Sequence, residues 1–444
     1  MRHLNTLKAA LALAFGALIL SACSGTPNIT AANAPSNEAN SSQLGDPGGP
    51  SMKLEAAHYT VVPLGTLSGN VDAGISITEH GIVSGFATLS GNTVVHAAVW
   101  SGHGAVDLGT LGGANSAVEW PNHDESEVVG ISQTSMVDPL GEHWSCSAFI
   151  PFTGNTCLGF VSSGSGMTPL PTLGGNNGYA SGANASGQVV GWAENSTHDP
   201  TCKVPQVLQF EAVIWGPNDQ IEAQLPPIRH DLDTAATAIN DNGDVVGISG
   251  ICQNAVGALS AKHAILWQNG VPTDIGSLGG AGWNTPTAIN DRGAIAGFSD
   301  LAGDDHAKNP NYHAFYWTRH GGMVDLGVLP GDTVSQAFGM NNHGEVVGQT
   351  CTTPACTSSR AFIWQGGVMT DLNSLVSCGS LFLVFANDIN ERGVITGLGV
   401  DANGNAFAYR AIPSDGSQTA AGSARRLCAV SYTHLRAHET GRNL

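Results

Sequence analysis

The stretch His263–Gly297, HAILWQNGVPTDIGSLGGAGWNTPTAINDRGAIAG, returns almost word for word at His313–Gly348, and weaker copies run from Tyr59 to Tyr409. A chain built by repetition must stack or close its copies, so their number constrains the fold more than any single motif does. Three landmarks give that number separately. An apolar stretch ending in Trp, usually after His-Ala, ends at Trp100, Trp215, Trp267, Trp317 and Trp364, with Tyr409 as a variant and Ser147–Phe152 as a poor copy. A β-branched pair between glycines, as in Gly243–Gly247, has equivalents ending at Gly85, Gly130, Gly191, Gly297, Gly348 and Gly397. A run like Asp274–Gly280 starts near Pro63, Asp107, Pro169, Gln224, Asp325 and Asp371. Each landmark occurs seven times.

Every landmark is a short run of Val, Ile, Phe and Trp bounded by Gly, Asn and Asp, which is strand patterning. Asn-Asp-Asn-Gly between Ile239 and Val245, and Gln-Asn-Gly between Trp267 and Val271, supply the positive φ of tight hairpins. Each unit therefore reads as a four-stranded antiparallel meander. The expected fold is all-β, a seven-bladed β-propeller. The last copy lacks its fourth strand while Tyr59–Gly65 is an orphan ahead of the first, so the N-terminal strand is expected to close the last blade. Closure removes two exposed strand edges. An open β-solenoid and a ring with another blade count are the alternatives.

The repeats occupy residues 57–413, between segments of different character. Residues 1–23 have the form of a secretion signal: Arg2 and Lys8, an apolar run Ala9–Leu20, then Leu20-Ser21-Ala22-Cys23, which matches the bacterial lipobox. Cys23 is the expected lipidation site, and Ser24 after it favours the outer membrane of a Gram-negative envelope. The apolar run is too short for a membrane span. Residues 24–56, rich in Ser, Asn, Ala, Gly and Pro, read as a flexible linker. Residues 414–444 read as a disordered tail, and Ala429–Leu444 resembles translated sequencing-adapter sequence and is set aside from fold reasoning.

With a formal net charge of -19, and nine Lys and Arg scattered through the repeats, the chain is a poor match for nucleic acid or an anionic membrane surface. The expected contact with a membrane is the N-terminal lipid anchor. In an exported protein the cysteines point to disulfides. Cys146 with Cys157 and Cys351 with Cys356 are close in sequence, Cys202 and Cys252 fall in corresponding loops of neighbouring blades, and Cys378 with Cys428 is the residual pairing. No Cys-x-x-Cys pair supports a zinc site, and neither metal nor cofactor is expected.

His313-Ala314-Phe315 before Trp317, then Met323–Gly331, then Ala337–Gly348, resembles the HAF family of bacterial extracellular repeats. The likeness covers about residues 60 to 413. In blade two Ser126 replaces the turn glycine and Ser147-Ala148-Phe149 replaces His-Ala-Phe. The resemblance implies export and repetition, and brings no catalytic residues.

The repeated polar residues are Asn184, Asn240, Asn290, Asn341 and Asn390; Asp107, Asp274, Asp325 and Asp371; and His96, His263 and His313. A residue needed once per blade most simply serves the blade. No Gly-x-Ser-x-Gly, His-Glu-x-x-His or phosphate-loop pattern is present, and the acidic loops Asp300–His306 and Asp401–Asn405 lack a complete calcium-loop spacing. No catalytic residue is assigned. Length varies instead at one connection: Ile131–Ser147, Trp192–Phe210, Ile248–Lys262, Ser299–Tyr312 and Gln349–Arg360 all join the second strand to the third. One face of the disc is therefore expected to be decorated. Trp144, Trp192 and Trp283 fall on or beside it and are candidate ligand-binding residues, for sugar rings or an envelope protein, against packing over their own blades. The expected role is a surface-anchored binding or adhesion module. The alternatives are a propeller enzyme acting on a polysaccharide or small molecule, and an envelope assembly scaffold.

Overall fold

The computed structural model describes residues 58–414 except 103, 122–126, 143, 165, 253–259, 305–310, 357 and 377–380, and except the side chains of 144 and 145. Seven sheets, each of four antiparallel strands, succeed one another along the chain. Blade one is Asp72–Ile77, Val83–Thr88, Val95–Trp100 and Val106–Asp107. Blade five is Gly279–Ile289, Ile295–Leu301, Tyr312–Thr318 and Gly322–Gly327. In blades three to seven the first strands of consecutive blades touch one another, and blade seven's touches blade one's, so these strands surround the axis. Blade seven takes Leu381–Ile389, Ile395–Asp401 and Ala406–Ser414 from the end of the repeats. Its fourth strand is His58–Pro63, paired from His58 with Ser414 to Pro63 with Tyr409. The ring has seven blades and is closed by its N-terminal strand, as the repeat count predicts.

The recurring glycine has a packing reason. A Cβ would meet the inner-strand carbonyl oxygen at 2.0 Å at Gly85, 2.2 Å at Gly130, 1.9 Å at Gly191, 2.1 Å at Gly247, 2.2 Å at Gly297, 2.0 Å at Gly348 and 2.0 Å at Gly397. Just beyond this contact, inner strands carry a register shift, as between Gly74 and Ser76, Ala236 and Ala238, or Ala337 and Gly339. Such bulges bend the strand and re-aim its groups. The glycine also leaves a bare patch of backbone for an aromatic ring. Phe160, Phe315 and Phe362 stand opposite Gly130, Gly297 and Gly348, with ring carbons 2.9, 2.9 and 2.8 Å from the absent Cβ. The Phe of His-Ala-Phe and the Gly of Val-Val-Gly are thus one cross-strand unit, an aromatic covering a glycine.

That unit corrects two assignments. Tyr409 stands opposite Gly397 and its hydroxyl donates to the Phe385 carbonyl at 2.8 Å, so it occupies the Phe register, while Ala411 takes the Trp register. In blade two the third strand is Asn155–Ser162 rather than Ser147–Phe152. Phe160 fills the space over Gly130, whereas Cys146, Ala148, Phe149 and Ile150 are buried in the main core cluster ahead of the strand.

Repeated polar residues join blade to blade. Asn240 Oδ1 accepts from Asn242 N and Asp244 N, closing its own hairpin, while Nδ2 donates to Asn290 O at 3.0 Å in the next blade. Asn184, Asn290, Asn341 and Asn390 donate in the same way to Asn240 O, Asn341 O, Asn390 O and Thr78 O. The last of these crosses from blade seven to blade one. Near the close of the third strands, Trp215 and Trp267 donate through Nε1 to Pro171 O and Pro226 O of the preceding blade's link, each at 2.9 Å.

Gly297→Ala is expected to lower stability by about 2–3 kcal/mol, because both obstructing groups are backbone or a packed ring. A denaturant midpoint equal to that of the parent would refute this packing account.

Candidate functional site

Each meander places the turns after its first and third strands at one end, and the loop after its second strand and the link to the next blade at the other. The insertions therefore share one face. Blade two's insertion runs to 154 and contains a helical turn, Trp144–Ser147, before its third strand begins. The structure joins Cys146 to Cys157, Cys202 to Cys252 and Cys351 to Cys356, with Cα separations of 5.6, 4.6 and 5.0 Å. The second of these links the insertions of blades three and four. Cys23, Cys378 and Cys428 lie outside the described residues.

A buried polar network fixes the insertions of blades two and three. Asp138 Oδ1 accepts from Leu140 N and Glu142 N, turning the chain back on itself. Glu142 Oε1 then accepts from Val207 N at 2.9 Å and Leu208 N at 2.6 Å, across to blade three. Asn177, on blade three's inner strand Gly174–Ala183, donates to Asp138 Oδ2 at 2.9 Å and to Glu194 Oε2 at 3.1 Å. Gln206 Nε2 donates to Glu194 Oε1 at 2.9 Å. Buried carboxylates held by several donors order the loops that carry them.

Against this rigid base stands an apolar surface. Met136, Val137, Leu140 and Phe152 are 70%, 73%, 43% and 42% exposed on blade two's insertion, and Val204 is 91% exposed on the adjoining one. No other insertion of the described chain exposes a comparable set of large apolar side chains. This surface was missed in the sequence because the poor third-strand copy drew Phe152 into a strand.

Of the three tryptophans proposed for a binding platform, two are buried. Trp192 and Trp283 are each 4% exposed. Trp192 packs against Tyr179 and Phe210, and Trp283 against Phe298 and Tyr312, with centroids 5.1–6.5 Å apart. Both stand at registers facing the main core, where a ring gains more from burial than from exposure. The side chain of Trp144 lies outside the described residues.

The remaining candidates serve the blades. His96, His263 and His313 pair through Nδ1 with Asp107, Asp274 and Asp325 at 2.8, 3.0 and 2.9 Å. Those aspartates also accept from Gly109 N, Gly276 N and Gly327 N, tying the fourth strand to the link. Blade six has Arg360 at this place, bonded to Asp371. Asp401 accepts from Asn403 N and Asn405 N, and these bonds favour its ionised form. That loop closes on itself; part of Asp300–His306 lies outside the described residues. Among the described residues no group of three His, Cys, Asp or Glu is arranged to hold a metal ion. On the turn-bearing face an open pocket of about 320 Å3 lies between blades four and five. Its Arg319 and Asp244 side chains are bridged by Gln268.

Blades closed into a ring, with the long insertions gathered on one face, define this chain as a seven-bladed β-propeller. No family model matches it, and no curated protein matches it. Similar solved structures include the β-propeller domain of the Trilobed protease from Pyrococcus furiosus, at 8% identity and TM-score 0.43, covering 83% of this chain and 99% of that one. Porphyromonas gingivalis dipeptidyl peptidase 4 is similar at 11% identity and TM-score 0.31, covering 74% of this chain and 44% of that one. At these values no activity passes from either to this protein.

Glu142→Ala removes the acceptor of two blade-three amides. Hydrogen exchange at Val207 and Leu208 is expected to speed up by at least about tenfold, the scale of a lost charge-assisted bond. Unchanged exchange there would show that the two insertions hold their places independently.

Proposed function

We propose that this protein is an envelope-anchored binding module of the HAF type, whose contact surface is the insertion-bearing face and whose partner is another protein. The carrying observation is the exposed set Met136, Val137, Leu140 and Phe152 on an insertion held by the Glu142 and Asn177 bonds. Apolar groups on a held loop bind with little ordering cost, and a concentration of exposed apolar side chains marks protein contact sites. A glycan platform has less support, since two of its three tryptophans are in the core. An enzyme has less support too: the repeated His–Asp pairs recur in several blades and are engaged with their own links.

The attachment of the chain fits this orientation. His58 pairs with Ser414 at the turn-bearing end of blade seven, so the segment leading from Cys23 joins the face opposite the insertions. A lipid at Cys23, on its flexible linker, leaves the insertion face free to turn away from the bilayer.

The test compares the full-length exported protein with a variant carrying Met136→Ser, Val137→Ser, Leu140→Ser and Phe152→Ser. These positions are exposed, so the unfolding free energy is expected to stay within about 0.5 kcal/mol of the parent for each change. The parent is expected to cross-link to a discrete envelope protein and the variant to lose that product. Equal cross-linking by both, or binding of the parent to an envelope-glycan array, would overturn the proposal.

A further inference from the structure

One inter-blade contact occurs twice on the insertion face with different chemistry. In the first, Asp138-Pro139-Leu140 begins the turn of blade two's insertion, and Asp138 Oδ1 accepts from Leu140 N. Its Oδ2 receives Nδ2 of Asn177, whose own Oδ1 accepts from Cys157 N of blade two at 2.9 Å. In the second, Asp199-Pro200-Thr201 begins the turn of blade three's insertion, and Asp199 Oδ1 accepts from Thr201 N. The partner in blade four is Asp233, whose Oδ1 accepts from Phe210 N of blade three at 3.2 Å, as Asn177 does from Cys157.

The chain thus repeats the contact, but with a carboxyl where the first copy has an amide. Asn177 supplies a permanent donor. Asp233 supplies one only when protonated. Both residues of the second pair are deeply buried, at 7% and 2% exposure, and Oδ2 of each has no donor. Asp233 is faced by Asp199 from blade three's insertion and by Glu211 from blade three's third strand, Leu208–Trp215. No ion pair reaches either Asp199 or Asp233 among the described residues. With a proton the Asp233 carboxyl can donate to Asp199 as Asn177 donates to Asp138; without it, like charge faces like charge in a buried place.

We propose that Asp199 and Asp233 form a proton-operated latch, closed by a proton on Asp233, that holds blade three's insertion onto blade four and releases it when the proton is lost. Burial, then the neighbouring Asp199, pushes the Asp233 carboxyl up to about 9. A raised carboxyl stabilises the closed state fully below the ordinary value near about 4, and that stabilisation drains away as pH rises through about 9. The Cys202–Cys252 disulfide, with Cys252 N bonded to Thr201 Oγ1 at 3.0 Å, keeps the released insertion tethered to blade four. Opening is therefore local, and blade two's insertion, with its amide donor, stays shut.

The experiment is hydrogen exchange of the full chain, corrected for intrinsic rates, at steps from about pH 5 to about pH 9. Protection at Thr201 and Phe210 is expected to fall by up to about tenfold per pH unit. Protection at Leu140 and Cys157, the matching amides of the other contact, should hold steady and serve as an internal control. In Asp233→Asn, which copies the Asn177 contact, Thr201 and Phe210 should also hold steady. An equal fall in that variant, or no fall in the parent, overturns the latch. So does a fall in the parent that added calcium abolishes, since a cation rather than a proton would then close the pair.

Discussion

The ladder between His58–Pro63 and Ala406–Ser414 is the constraint on which the rest depends. Each blade buries its faces against two neighbours, so an unclosed row would leave blades one and seven each with a bare side. Pairing of strands far apart in sequence closes it. The closing seam is reinforced from blade seven to blade one: Asn390 donates to Thr78 O, Asn387 donates to Gly74 O, and Asp388 accepts from Ser76 Oγ and Ile77 N. Leu64 N, just past the closing strand, bonds to Ala408 O.

Within each blade a second constraint acts at short range, the approach of an inner-strand carbonyl to a second-strand glycine. It sets which side of the sheet can accept a ring, and from that follows the pairing of Gly130 with Phe160, Gly297 with Phe315 and Gly348 with Phe362. Where the opposite residue is smaller, as Ala98 is opposite Gly85, the space is shared differently while the glycine remains required.

The architecture was legible in the sequence because its causes are local and repeated. Turn chemistry, Val-Val-Gly and His-Ala-Phe recur with the blade, so counting them counts blades, and the orphan Tyr59–Gly65 announces the closure. Blade two resisted, because Ser147-Ala148-Phe149 copies the motif's letters while Phe160 performs its packing. The functional surface was less legible. Exposure of Met136 and burial of Trp192 are set by which side of a strand faces the neighbouring blade, and that depends on bulges and on contacts distant in sequence. The Glu142 bonds to Val207 and Leu208 span two insertions with no shared motif. The match between Asp138–Asn177 and Asp199–Asp233 appears once the two insertions are superposed by their hydrogen bonds rather than by their lengths.

The closing ladder also has a mechanical character. The chain enters it at His58, beside Ser414, at the end of the disc that lacks the insertions. If a partner grips the insertions while the tether pulls from the other side, tension enters the ladder at one end. Because the strands run from one face to the other, the pull lies along the closing strand, and its hydrogen bonds share the load in shear. The element that carries the drag is one outer strand of blade seven, and blades one to six each have four strands of their own.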